Sequence, residues 1–197
     1  MVIMKTILRS VLISTVFLLA SSVGAHAHVI PGDVRGFGSG FMHPLLGLDH
    51  ILAMTAVGLW AAQLGGRARW LVPASFLSVM AVGGALAMAG LRVPFTEEGI
   101  LLSILVLGIL IAVAVRFPLA VSMAIVGLLA FFHGHSHGTE MPANAVGYAY
   151  GAGFMLATAG LHACGIGLAY LARPIKMPVV RWAGAAIAVV GACFWAF

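Results

Sequence analysis

Runs of apolar residues long enough to cross a bilayer recur from one end of this chain to the other, and that property leaves few folds open. A stretch of about 18 or more apolar residues reads as a membrane-spanning helix. Six such segments, at roughly 36–64, 70–90, 98–115, 118–134, 144–172 and 179–196, predict an all-α polytopic membrane protein, a six-helix transmembrane bundle. Only 8% of the residues are charged and 62% are hydrophobic, whereas a soluble domain carries about a quarter charged residues. That balance excludes a cytosolic enzyme, a nucleic-acid binder and a disordered regulator. The net charge of +5 would suggest nucleic acid in a soluble chain. Here basic loops on the cytoplasmic side explain it, so the expected surroundings are a lipid bilayer and no nucleic acid.

The first 27 residues read as a signal peptide and 28–197 as the six-span domain. Lys5 and Arg9 form a basic start, Val11 to Ala20 an apolar core, and small residues follow, the order of a secretory signal. Cleavage fits after Ala25 or after Ala27. The first cut leaves His26-Ala27-His28 at the new terminus, where an amine and a histidine at the third position can chelate a divalent ion. Turn and charge signals mark the joints between spans, as in Gly65-Gly66-Arg67, Gly90 to Pro94, Arg116-Phe117-Pro118 and Arg173-Pro174. A cleaved signal places the mature N-terminus outside. Alternating spans then put Arg67, Arg69, Arg116, Arg173, Lys176 and Arg181 inside, with only Arg35 and Arg92 outside, as the positive-inside rule requires. The chain is thus expected in a bacterial inner membrane with both mature termini on the periplasmic side. Cys164 and Cys193 lie in apolar runs and read as packing residues.

Among so few charges, eight histidines stand out. His43, Asp49 and His50 lie in an otherwise apolar span, where an ionisable group is costly and needs a partner, water or a metal. Seven residues separate the two histidines, which in a regular helix leaves them about 20° from alignment. Met54 follows on nearly the same face. Asp49 is rotated by about 100° from His50, so it is expected to orient a histidine on another helix or to meet an ion from the side. Pro44 biases the residue before it away from helical angles. A helix over 36–64 would be roughly 43 Å long, too long for a straight crossing. A break is therefore expected at His43–Pro44, with the glycine-rich lead-in re-entrant or interfacial and His43 at the outer mouth.

His133, His135 and His137 alternate with Gly134, Ser136 and Gly138 before Glu140. The pattern reads as a flexible, imidazole-rich outer loop over 133–144. Imidazole with carboxylate suits Ni, Zn, Cu and Fe without choosing among them. His162, in the fifth of the six spans, lies about 16 Å from the cytoplasmic end, and His50 about 22 Å from the same side. The positions suggest a ladder, with imidazoles collecting an ion outside, His43 receiving it, and Asp49, His50 and His162 carrying it onward. Several weak sites in series allow both uptake and release.

The stretch His43-Pro44-Leu45-Leu46-Gly47-Leu48-Asp49-His50 resembles the H-P-x-x-G-x-D-H motif of the HupE/UreJ family. The His133 to Gly138 run is similar to that family's histidine-rich segment, and Ala157-Thr158 with Leu161-His162 to its later motif. The resemblance implies an accessory membrane protein of hydrogenase or urease systems and a secondary permease for Ni²⁺, in some members Co²⁺. The ion would be cargo, with no tightly bound cofactor and with hydrogenase or urease maturation proteins as partners. On that reading the metal-contacting residues are His43, Asp49, His50, His133, His135, His137 and His162, and the protein is not an enzyme. The residues alone leave two alternatives open, an intramembrane histidine–metal enzyme and a metal-sensing accessory scaffold. There is no H-E-x-x-H run and no glycine-rich nucleotide motif followed by lysine. Ten methionines make copper the runner-up metal, but they are scattered along the chain.

Overall fold

The computed structural model describes residues 36–141, 145–175 and 178–196. The expected signal peptide, its cleavage points and the His26–His28 chelate lie outside these residues. The described residues form seven helices and no strand: α1 (Phe37–Leu46), α2 (Leu48–Leu64), α3 (Ala68–Met88), α4 (Thr96–Val113), α5 (Leu119–Glu140), α6 (Ala145–Ala172) and α7 (Val179–Ala196). Five of them, α3 to α7, are long and apolar enough to cross a bilayer. The pair α1 and α2 passes the same test together and is bent by 83° between its halves.

Helix ends fall where the residues have reason to stop. Gly65 ends α2 with φ 74°, and Gly90 follows α3 with φ 91°, angles that side chains disfavour. Pro118 precedes α5, where a missing N–H costs nothing. The C-terminus of α4 shows how side chains satisfy the last carbonyls of a helix. Trp60 Nε1 donates to Val115 O (3.1 Å), Gln63 Nε2 to Ile111 O (3.1 Å) and Arg181 Nε to Ala112 O (2.8 Å). Without such donors, the last carbonyls of a helix would be left bare in an apolar setting.

Glycine lets the helices pair backbone to backbone. Gly83 and Gly138 hold α3 against α5, and a Cβ on either would stand 2.6 Å from a carbonyl oxygen of the other helix. Gly134 meets the Met80 backbone across the same contact. Gly58 and Gly165 meet the α6 and α2 backbones in the same way, Gly40 and Gly153 join α1 to α6, and Gly108, Gly184 and Gly191 join α4 to α7. Such close approach is the packing device of membrane helices, where no hydrophobic force separates helix from lipid. The spacing Gly147-x-x-x-Gly151 is no such contact, since nothing lies within 4 Å of a Cβ on Gly151. Trp60, Phe76, Ile104, Leu107 and Ile111 are completely buried within the bundle.

Charge separates along the bundle. Arg67, Arg69, Arg116, Arg173 and Arg181 lie at the end that carries the α2–α3, α4–α5 and α6–α7 joints. There Arg69 contacts the Tyr170 hydroxyl, and the Arg173 guanidinium stacks on the Tyr170 ring at 3.9 Å. Glu97, Glu98 and Glu140 lie at the opposite end.

Two local expectations are corrected. The histidine-rich stretch is not a loop. Helix α5 runs on to Glu140, and His133, His135 and His137 are 0, 1 and 7% exposed within it. The glycines that suggested a loop are the positions where α3 comes closest. The break in the first span is at Gly47 rather than at His43–Pro44. Helix α1 absorbs Pro44 and continues to Leu46, and the chain turns where Gly47 takes extended angles (φ −86°, ψ 119°).

Candidate metal centre

His43 lies in the last turn of α1 and His50 in the first turn of α2, one on each side of the 83° bend. In a straight helix, seven residues would set them about 10 Å apart along the axis. The bend folds them together, with ring centroids 5.3 Å apart. His137 approaches from α5, 4.6 Å from the His43 ring and 4.7 Å from the His50 ring. One nitrogen from each of the three lies within 4.8 Å of the others, and all three residues are buried. His50 Nε2 and His137 Nε2 are 2.6 Å apart, so one proton between them is all the pair can hold. Phe154 packs against all three rings at 5.0 to 5.8 Å, walling the cluster on the α6 side.

Carboxylates approach the outer nitrogens. Asp49 Oδ1 lies 2.9 Å from His50 Nδ1, without the alignment of a hydrogen bond, and Glu140 Oε2 lies 3.8 Å from His137 Nδ1. A carboxylate at Nδ1 favours the tautomer that leaves Nε2 with its lone pair. Asp49 lies against its own neighbour His50 rather than against a histidine on another helix, which was one of the two placements its rotation suggested.

His133, one turn before His137 on the same face of α5, has its ring 5.7 Å from that of His50. Its Nδ1 donates to Leu129 O (3.2 Å), and its buried Nε2 has no hydrogen-bond partner. His162 repeats the arrangement on α6: Nδ1 donates to Met54 O (3.4 Å) and Nε2 is bare. Each imidazole is anchored by one nitrogen and offers the other as a free lone pair, as a metal-ligating histidine does. Phe76 separates them, its ring 5.5 Å from His133 and 5.0 Å from His162.

The expected ladder is therefore redrawn. Its outer collector and its mouth are not separate rungs, because His137 and His43 meet His50 in one cluster. Asp49 and His133 border that cluster, and His162 lies apart from it, beyond Phe76. His135 stands apart, with Nε2 donating to Leu91 O (2.9 Å) on the far side of α5.

Over residues 15–194 the chain matches the family described as HupE / UreJ protein. The chain belongs to the HupE/UreJ family. It is 48% identical over 183 residues to Protein HupE of Rhizobium leguminosarum bv. viciae, covering 91% of this chain and 94% of that protein. No solved structure matches it. The HupE/UreJ match takes in every helix from α1 to α6 and all but the last two residues of α7, so each residue of the histidine cluster lies inside it.

Several residues of this HupE/UreJ site escape sequence reasoning. Glu97, at the start of α4, accepts a hydrogen bond from the Ser136 hydroxyl and so reaches the histidine-bearing turn of α5. Phe76 and Phe154 separate and wall the imidazoles. Glu97 carried a usable signal, an acid at the very start of an apolar span. The two phenylalanines carried none, since an aromatic residue in a span is ordinary.

Proposed function

We propose that the protein is a secondary transporter or channel that carries Ni²⁺, or Co²⁺, from the periplasm into the cytoplasm, where it supplies hydrogenase or urease maturation. The observation that carries this reading is the buried trio His43, His50 and His137, with one nitrogen from each within 4.8 Å of the others inside an apolar bundle. Three neutral imidazoles with a flanking carboxylate form a donor set for a borderline divalent ion such as nickel. Membership of the HupE/UreJ family supports the choice of ion.

The charge distribution supports the direction. By the positive-inside rule, the end bearing Arg67, Arg69, Arg116, Arg173 and Arg181 faces the cytoplasm. The trio then lies toward the periplasm, together with Asp49, Glu97 and Glu140. Both mature termini lie outside once the signal peptide is removed after Ala25 or Ala27. An arriving ion takes the Nε2 lone pairs of His50 and His137, and the proton shared between those two atoms is released to water on the periplasmic side, with Asp49 holding His50 in the binding tautomer. His133 and then His162, with bare Nε2 atoms on the two sides of Phe76, form the inward stations, and His135 lies outside the route. Two charges moving inward gain about 4.6 kcal/mol per 100 mV of membrane potential, enough to drive uptake without nucleotide hydrolysis. Uptake of radiolabelled nickel by cells lacking other importers tests the proposal. His50→Ala and Asp49→Ala abolish or strongly reduce uptake at normal expression, and wild-type uptake by both variants sinks it.

A further inference from the structure

A cavity of about 290 Å³ lies between α3, α5 and α6, beside the histidine trio. Its lining gathers Met80, Met88, Met141 and Met155, four of the chain's ten methionines, from two separate stretches of the sequence. The polar side chains that reach it are His133, His137 and the Tyr148 phenol, and among the described residues no carboxylate lines it. Met88, Met141 and Tyr148 stand near the helix ends on the acidic side, while Met80, His133 and Met155 lie further in. The cavity therefore runs inward from that end of the bundle. His133 contributes a fully buried Nε2 that has no hydrogen-bond partner, its Nδ1 being tied to Leu129 O.

We propose that this cavity is a second metal site, specific for a soft monovalent cation of the Cu(I) type. The site would be built from His133 Nε2 and methionine thioethers. Thioethers favour Cu(I) and bind hard or borderline divalent ions poorly. The cost of bringing an ion into a low-dielectric cavity rises with the square of its charge. A lining without carboxylates therefore accepts one positive charge far more readily than two. The trio, flanked by Asp49 and Glu140, carries the anionic partners that a divalent ion needs. Two or three ligands satisfy Cu(I), and the unbranched methionine side chain reaches such geometries through its three rotatable bonds. His137 belongs to both the cavity and the trio, so occupancy of the cavity interferes with the trio. This last step alone rests on the transport reading above.

Ag⁺ is the probe, a redox-inert stand-in for Cu(I). It is added to the purified full-length protein with Cys164→Ala and Cys193→Ala, which remove the thiols that would otherwise bind it. X-ray absorption at the silver edge is expected to show sulfur and nitrogen neighbours. Met88→Leu, Met141→Leu and Met155→Leu together weaken Ag⁺ binding at least tenfold and leave Ni²⁺ binding unchanged. The control pair Met42→Leu and Met123→Leu changes neither. If the triple variant does not fold, the single substitutions carry the test, each weakening Ag⁺ at least threefold. A silver shell without sulfur, or an Ag⁺ affinity indifferent to the cavity methionines, overturns the proposal. Sulfur-ligated Ag⁺ in a protein that binds no Ni²⁺ upholds the cavity site and defeats the nickel reading. Bound Ni²⁺ with no cavity-dependent Ag⁺ does the reverse.

Discussion

Gly134→Ala adds one methyl group and removes no metal ligand, yet the structure requires it to disable the histidine centre. The new Cβ would stand 2.7 Å from the Met80 carbonyl carbon and nearer still to its oxygen, whereas ordinary contact begins at 3.4 Å. Helices α3 and α5 must therefore part by at least 0.7 Å, since 3.4 − 2.7 = 0.7. Backbone cannot swing aside as the tip of a side chain can. Overpacking of this kind costs about 1–3 kcal/mol. The larger effect falls on α5, which carries His133 and His137 on either side of the substituted residue. Metal–ligand distances tolerate about 0.2 Å, so a shift several times larger removes His137 from the trio. We expect nickel affinity to fall tenfold or more in the purified protein, and uptake to fall with it. Gly151→Ala and Gly160→Ala serve as controls, because a Cβ at either has nothing within 4 Å. Were 133–140 a flexible loop, Gly134→Ala would be tolerated. Wild-type nickel affinity in that variant refutes both the helical packing and the site built on it.

Three further outcomes follow from the same geometry. His137→Ala abolishes nickel uptake while His135→Ala leaves it near wild type, because only the former shares the trio; equal losses in uptake assays contradict the arrangement. Asp49→Asn keeps the shape beside His50 but removes the charge that fixes its tautomer, and lowers nickel affinity about 10- to 100-fold; calorimetry with the folded variant checks this. Lowering the pH weakens nickel binding, since protons and the ion compete for the same imidazole lone pairs. Calorimetry in buffers of different ionisation enthalpy then registers proton release on binding, and an affinity independent of pH counts against an all-histidine trio.

The long apolar helices and their order were legible because apolar length and turn residues are local properties. Arg116-Phe117-Pro118 marks a boundary whatever lies across from it. The histidine stretch was misjudged for the opposite reason. Glycine and serine between histidines suit a loop and a closely packed helix equally, and what decides is the backbone of Met80 and Gly84, some fifty residues earlier. A break in the first span was foreseeable from its length, but Pro44 misplaced it, because its position depended on the angles of Gly47. The trio itself was beyond reach, because it joins His50 to a residue 87 positions away.

The glycine contacts have a mechanical consequence. Backbones in direct contact cannot slide or rotate independently, so α3 moves with α5, and α1 and α2 move with α6. The histidines divide between these two rigid bodies: His43, His50 and His162 ride on one, His133 and His137 on the other. The short approach of His50 to His137 crosses the seam between them. On the proposed transport reading, a rocking of one body against the other would work that seam, and an ion held there would act as the latch.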